Sequence, residues 1–170
     1  MSRLDELAER FGVPPAGIEA LRATLALQAE DPAASTTVRA PAQAVDRHVA
    51  DSLVALELPE VREAQRIADL GSGAGWPGLA LAALPVLCEY AAPLLAEGGA
   101  LVAWKGLVDP AEAQAGAAAA ALLGLEPSAV RAVDPYPEAE RRTLHVFRKT
   151  APTPDRFPRR PGMAVKRPLA

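Results

Sequence analysis

The chain has 170 residues, half of them hydrophobic but only 4% aromatic, and carries a formal net charge of −3. That length suits a single domain whose core rests on Ala, Leu and Val, and the lone Cys88 excludes both a disulfide framework and a thiolate metal site within one chain. The two histidines, His48 and His145, stand far apart in sequence, so no metal is expected. No apolar run approaches the ~20 residues of a membrane span and no leader-type segment opens the chain, which predicts a cytoplasmic protein without a membrane partner. The charge is uneven: residues 1–140 hold 9 basic and 20 acidic side chains, whereas residues 141–170 hold 9 basic and 1 acidic. An acidic body with a basic end suits an anionic partner engaged by that end.

In chain order, residues 3–11 place Leu4, Leu7, Ala8 and Phe11 on one helical face. Ile18, Leu21, Leu25 and Gln28 continue the pattern in a second helix. Asp31-Pro32 breaks it, and residues 35–41 read as a loop. A third helix is expected from about Pro41 to Leu58, with Val45, Val49, Leu53 and Leu56 inward. Arg47 and Asp51 are four apart on it, as are His48 and Ser52, so each pair shares a face. Taken alone, they read as a surface ion pair and a surface histidine.

Ile67 and Ala68 then predict a strand, followed by Asp69-Leu70-Gly71-Ser72-Gly73-Ala74-Gly75-Trp76-Pro77-Gly78 and a helical run, Leu79–Leu84. A strand, a glycine turn and a helix make the first ligand-binding corner of a doubly wound sheet. Glycine lets backbone N–H groups approach a ligand, because no Cβ intervenes. A dinucleotide fingerprint needs glycine at the sixth position, which is Trp76 here, so a nicotinamide-dependent protein is disfavoured. Glycines at alternate positions behind Asp69 look instead like the corner of a methyltransferase that uses S-adenosylmethionine. A carboxylate suits that cofactor, which carries an ammonium and a sulfonium. A glycine turn with no ligand is the plain alternative.

Beyond the corner, Leu87, Tyr90, Leu94 and Leu95 predict the apolar face of a further helix, with Glu89 as a polar position on it. Strands are expected at Ala100–Trp104, Val130–Val133 and Thr143–Phe147, and a helix at Ala111–Leu123 stopped by Gly124. The C-terminal stretch interleaves Arg156, Arg159, Arg160, Lys166 and Arg167 with prolines and Phe157. Arginines there contact phosphates and Phe157 stacks on a base; a merely solvated basic tail is the competing reading.

Four separated motifs carry a family resemblance: Arg47-His48-Val49-Ala50-Asp51-Ser52, the corner from Asp69 to Gly78, Trp104-Lys105-Gly106, and Arg156-Phe157-Pro158-Arg159-Arg160-Pro161-Gly162. In this order they resemble the RsmG or GidB family of bacterial ribosomal RNA guanine-N7 methyltransferases. The resemblance implies a Rossmann-like α/β methyltransferase fold with N-terminal helices. In this chain about four strands are expected, the first beside the strand ending at Trp104. It also implies that roughly 65–75 residues, two strand–helix units and a strand of ~30 residues per unit, are missing around Leu84–Val86. The expected organisation is an α/β domain over 1–150 (helices 1–60, shortened core 61–150) and a basic arm over 151–170. Cofactor contacts are expected at Asp69, Gly71, Ser72, Gly73, Gly75 and Trp76. RNA or cleft contacts are expected at Arg47, His48, Asp51, Ser52, Lys105, Arg156, Arg159, Arg160 and Lys166.

The implied activity is methyl transfer from S-adenosylmethionine to guanine N7 of 16S ribosomal RNA in the small subunit. The second reading is an internally deleted, inactive remnant that keeps an RNA-binding arm. N7 carries a lone pair and no proton, so no catalytic base is expected and orientation is the main task.

Overall fold

The computed structural model describes residues 1–34, 36–38, 40–70 and 82–170. The chain divides into two compact units, one of Met1–Gly78 with Asp134–Glu140, the other of Leu79–Val133 with Arg141–Ala170. Residues 151–170 thus belong to the second unit. No helix among the described residues is long and apolar enough to cross a membrane.

The first unit is helical. Helix α1 (Arg3–Phe11) starts at a capping box, in which the Ser2 hydroxyl accepts from the Asp5 N–H and the Asp5 carboxylate accepts from the Ser2 N–H. It stops at Gly12, whose φ of 70° suits glycine. Leu4, Leu7, Ala8 and Phe11 are buried, as their spacing predicts. Along α2 (Pro15–Glu30) Ile18, Leu21 and Leu25 are half-buried and Gln28 is buried.

The third helical run changes character three times. It comprises α3 (Pro41–Ala44), a π turn (Val45–Ala50), α4 (Asp51–Leu53) and a 3-10 turn (Val54–Glu57); α5 (Pro59–Arg62) follows. In the π turn the Asp51 N–H donates to the Asp46 carbonyl, five residues back. One extra residue per turn rotates everything downstream. Val49 is buried as expected, but Ala50, Val54, Ala55 and Leu58 join it, while Val45, Leu53 and Leu56 are only half-buried. Arg3 ties α1 to this run through Asp46 at 2.9 Å, and Arg10 through Glu57 at 2.8 Å.

The second unit is a sheet with helices. Its elements are α6 (Leu84–Ala91), β1 (Ala100–Lys105), α7 (Pro110–Leu122), β2 (Leu125–Val133), β3 (Arg142–Lys149) and α8 (Met163–Lys166). The sheet order is β1-β3-β2, with β3 antiparallel to both neighbours. Consequently β1 and β2 run the same way, joined by α7 as a crossover, and β3 lies between them. This is a mixed helix-and-sheet fold, as expected of a shortened α/β methyltransferase. Leu84, Cys88, Ala92, Ala103, Ala120, Leu123, Leu125, Phe147 and Phe157 form one core cluster. Small residues let α6 and α7 close on each other: a Cβ on Gly116 would lie 2.8 Å from that of Leu84.

Three expectations change. Residues 66–69 form no strand, and Ile67 is 70% exposed, so the described sheet has three strands rather than four. The expected pairing of this segment with the strand ending at Trp104 is not made either: β1 pairs with β3 alone among the described residues, and a segment without a ladder partner forms no strand. Strand β2 starts at Leu125 rather than Val130, because a register shift between Pro127 and Ala129 lets an edge strand absorb a proline. Finally, Tyr90 and Leu94 are exposed, while Glu89, on the expected polar side of α6, is buried. Of the expected helical run Leu79–Leu84, residues 79–81 lie outside the described residues, while residues 82 and 83 are not helical and Leu84 instead begins α6.

Candidate functional site

The first group of predicted residues sits on the π turn. The Ser52 hydroxyl donates to the His48 carbonyl at 2.5 Å, and His48 Nε2 lies 3.0 Å from the Thr36 hydroxyl. His48 is half-buried, and desolvation pushes its pKa below the ordinary value, against the raising effect of a hydrogen bond with the Arg47 backbone. An α-helix would set Arg47 and Asp51 on one face. The π turn separates them instead, leaving Arg47 exposed and Asp51 4% exposed. The surface Arg–Asp reading is therefore corrected: the carboxylate faces the interior of its unit.

Of the cofactor corner, Gly71, Ser72, Gly73, Gly75 and Trp76 lie outside the described residues. Asp69 is described and exposed.

The second group belongs to the sheet unit. Lys105, at the end of β1, has a side chain only 11% exposed; its Nζ lies 2.7 Å from the Glu112 carboxylate and donates to the Ala82 carbonyl at 3.1 Å. Glu112 also accepts from the Leu84 N–H at 3.0 Å, so Lys105 and Glu112 together fasten the start of α6. Nearby His145 is buried in β3, and its pKa is lowered first by desolvation and then by the Lys105 charge.

The C-terminal stretch packs onto the unit at successive points. Thr150 and Ala151 donate to the Gly124 carbonyl at 3.0 and 3.2 Å. The buried Lys149 ammonium donates to the Leu123 carbonyl at 2.7 Å and to the Thr153 hydroxyl. Phe157 lies in the core cluster rather than open to a base, which corrects its stacking role. An aromatic ring buries a large apolar area, and the core here has few others to use. The Arg156 guanidinium covers this ring at 5.1 Å.

Arg159 then meets Glu89. Its Nε donates to Oε1 at 2.9 Å, its Nη2 to Oε2 at 2.6 Å, and its backbone N–H to Oε1 at 2.9 Å. The Arg159 hydrogen bonds hold the Glu89 carboxyl below its ordinary pKa although burial opposes this. Arg156, Arg160 and Lys166 remain exposed. Glu89 is the residue that sequence reasoning missed. The available signal was an acid in an otherwise apolar helix, Leu-Pro-Val-Leu-Cys-Glu-Tyr-Ala, in a chain with an arginine-rich end. Among the described residues no group of three His, Cys, Asp or Glu side chains is placed to hold a metal.

The described fold mixes helices with a three-stranded sheet and carries a cationic C-terminal segment, and the sequence adds the glycine-rich run from Gly71 to Gly78. Comparison with known proteins makes the class specific. The family model GidB, rRNA small subunit methyltransferase G, matches residues 27–86. A protein of Rubrobacter xylanophilus named ribosomal RNA small subunit methyltransferase G is 32% identical over 196 positions, covering 77% of this chain and 75% of its own. A protein of the same name from Deinococcus deserti is 47% identical over 90 residues, covering 53% of this chain and 37% of its own. Another, from Symbiobacterium thermophilum, is 27% identical over 237 positions and covers 98% and 96% of the two chains.

The chain belongs to the GidB family. The Rubrobacter alignment spans 196 positions but draws on 77% of 170 residues, about 131, so about 65 positions have no residue from this chain. The family match ends at Val86, where the sequence places the join.

Proposed function

We propose that the protein transfers a methyl group from S-adenosylmethionine to guanine N7 of small-subunit (16S) ribosomal RNA. The observation that carries this reading is family membership with the Asp69-x-Gly71-x-Gly73-x-Gly75 spacing intact in the sequence. When bound, the cofactor supplies an electrophilic methyl on a sulfonium. Guanine N7 forms the new bond with its own lone pair as the carbon–sulfur bond breaks, and no proton leaves N7. The chain therefore needs no general base, and its task is alignment at a near-attack distance of ~3–3.5 Å.

Asp69 offers an exposed carboxylate, which fits the cofactor's ammonium. Gly71, Ser72, Gly73, Gly75 and Trp76 provide the remaining contacts in this reading. Arg156, Arg160 and Lys166, all exposed, hold RNA phosphates. Exposed Arg47, with half-buried His48 and Ser52, offers further RNA contacts in this reading, while Asp51, Lys105 and Arg159 act from within their own units. A soluble, cytoplasmic setting follows from a ribosomal RNA substrate.

About 65 absent alignment positions favour a second reading, an inactive remnant that binds RNA. A methyl-transfer assay beside filter binding across salt separates the two. Turnover supports the enzyme, whereas salt-sensitive binding without turnover supports the remnant.

A further inference from the structure

The basic C-terminal segment is folded against its unit, and one carboxylate organises it. Glu89 is 1% exposed, and both its oxygens are occupied by Arg159, side chain and backbone together. Arg159 reaches onward, donating from Nη2 to the Arg167 carbonyl at 2.8 Å. That bond draws Arg167 back beside Arg159, while α8 in between rests on α6. Arg156, Arg160, Lys166 and Arg167 are exposed around this closed segment. Between residues 141 and 170 the sole acid is Asp155. Four cations on a fixed backbone meet a polyanion without first being ordered, which removes part of the cost of binding.

We propose that Glu89 is a positioning residue for RNA binding: by holding Arg159 it fixes Arg156, Arg160, Lys166 and Arg167 as a preformed phosphate-binding set. This rests on the RNA-directed reading above. Removing one partner of a buried pair costs stability, but the Arg159 side chain is 24% exposed and can turn to water, so the positioning role is read below the melting transition, where the variant is still folded. The role is separable from charge. Removing the carboxylate makes the segment more positive, and electrostatics alone then predicts tighter RNA binding. Loss of positioning predicts the opposite.

The test compares the unmodified chain with Glu89→Leu and the milder Glu89→Gln, which keeps the side-chain shape if the first variant does not fold. Filter binding to a small-subunit ribosomal RNA transcript is measured across salt, with melting midpoints and trypsin cleavage at the Arg159–Arg160 bond alongside. The expected result for Glu89→Leu is RNA binding weakened at least fivefold and cleavage accelerated at least tenfold, with the melting transition retained. Glu89→Gln moves both in the same direction by less. Equal or tighter RNA binding by a variant whose segment is released overturns the proposal, as does a segment that stays protected. If the unmodified chain binds no RNA, the RNA-directed reading fails and the positioning role with it, while the trypsin comparison still reports on docking by itself.

Discussion

Gly124 lies directly beneath the Ala151 carbonyl: a Cβ built on it would stand 2.2 Å from that oxygen. Its φ of 72° is already one that side chains rarely adopt, and its own carbonyl accepts from Thr150 and Ala151. The glycine that stops α7 is therefore also the seat of the C-terminal segment. Gly124→Ala should cost at least about 2 kcal/mol, the sum of left-handed strain and a displaced backbone. Gly98→Ala is the control, since Gly98 has φ 81° but open space around it. Urea midpoints compare the two, and equal losses would show that the close approach to Ala151 is unimportant.

Acid should weaken the fold, with two groups of residues acting in different windows. Glu89 has its pKa lowered by Arg159, so its contribution is present above the ordinary carboxylate value of ~4.3 and is lost as pH falls through its folded value. His48 and His145 are lowered by desolvation, so the unfolded chain takes up protons first. Stability thus falls as pH drops from ~6.5 toward their folded values, and is flat above that window as far as they are concerned. Melting midpoints should climb from ~pH 2 to ~pH 7.5. His145→Gln should flatten the upper step and Glu89→Leu the lower. A midpoint that rises on acidification contradicts both assignments.

Cys88 is fully buried between α6 and α7, and burial pushes its thiol up to about 12. At pH 8 its thiolate population is on the order of a thousandfold below that of an ordinary cysteine near 8.5. An aromatic disulfide reagent should leave the native chain unlabelled over minutes and label it at once in urea. Prompt labelling without denaturant would show that the α6–α7 interface opens readily.

Much of the local structure is legible in the sequence, for reasons that single residues make clear. Leu4, Leu7, Ala8 and Phe11 announce α1 because their spacing matches one helical face, and Gly124 marks the end of α7. The π turn at Val45–Ala50 leaves no such trace. One inserted residue changes which side chains are inward without altering composition. Pro127 conceals the first half of β2, since a proline argues against a strand until the edge position and register shift are known. Residues 66–69 read as a strand because Ile67 and Ala68 are apolar, yet strand formation depends on partners elsewhere in the chain.

The site divides in the same way. The motifs that carry the family are readable as strings, and the comparisons show that family. The pairing of Glu89 with Arg159 joins residues 70 positions apart, and no local pattern encodes it. Phe157 reads as a base-stacking aromatic among arginines, and becomes a core residue only because the chain folds back.

The most direct measurement of the central claim is transfer of a labelled methyl group from S-adenosylmethionine to small-subunit ribosomal RNA, followed by mapping of the labelled base. The account predicts label at guanine N7. It also predicts that Gly73→Val, which puts a branched side chain where backbone must approach the cofactor, lowers transfer at least tenfold, or ~1.4 kcal/mol. Absence of label from a folded chain that still binds the RNA contradicts the claim of catalysis.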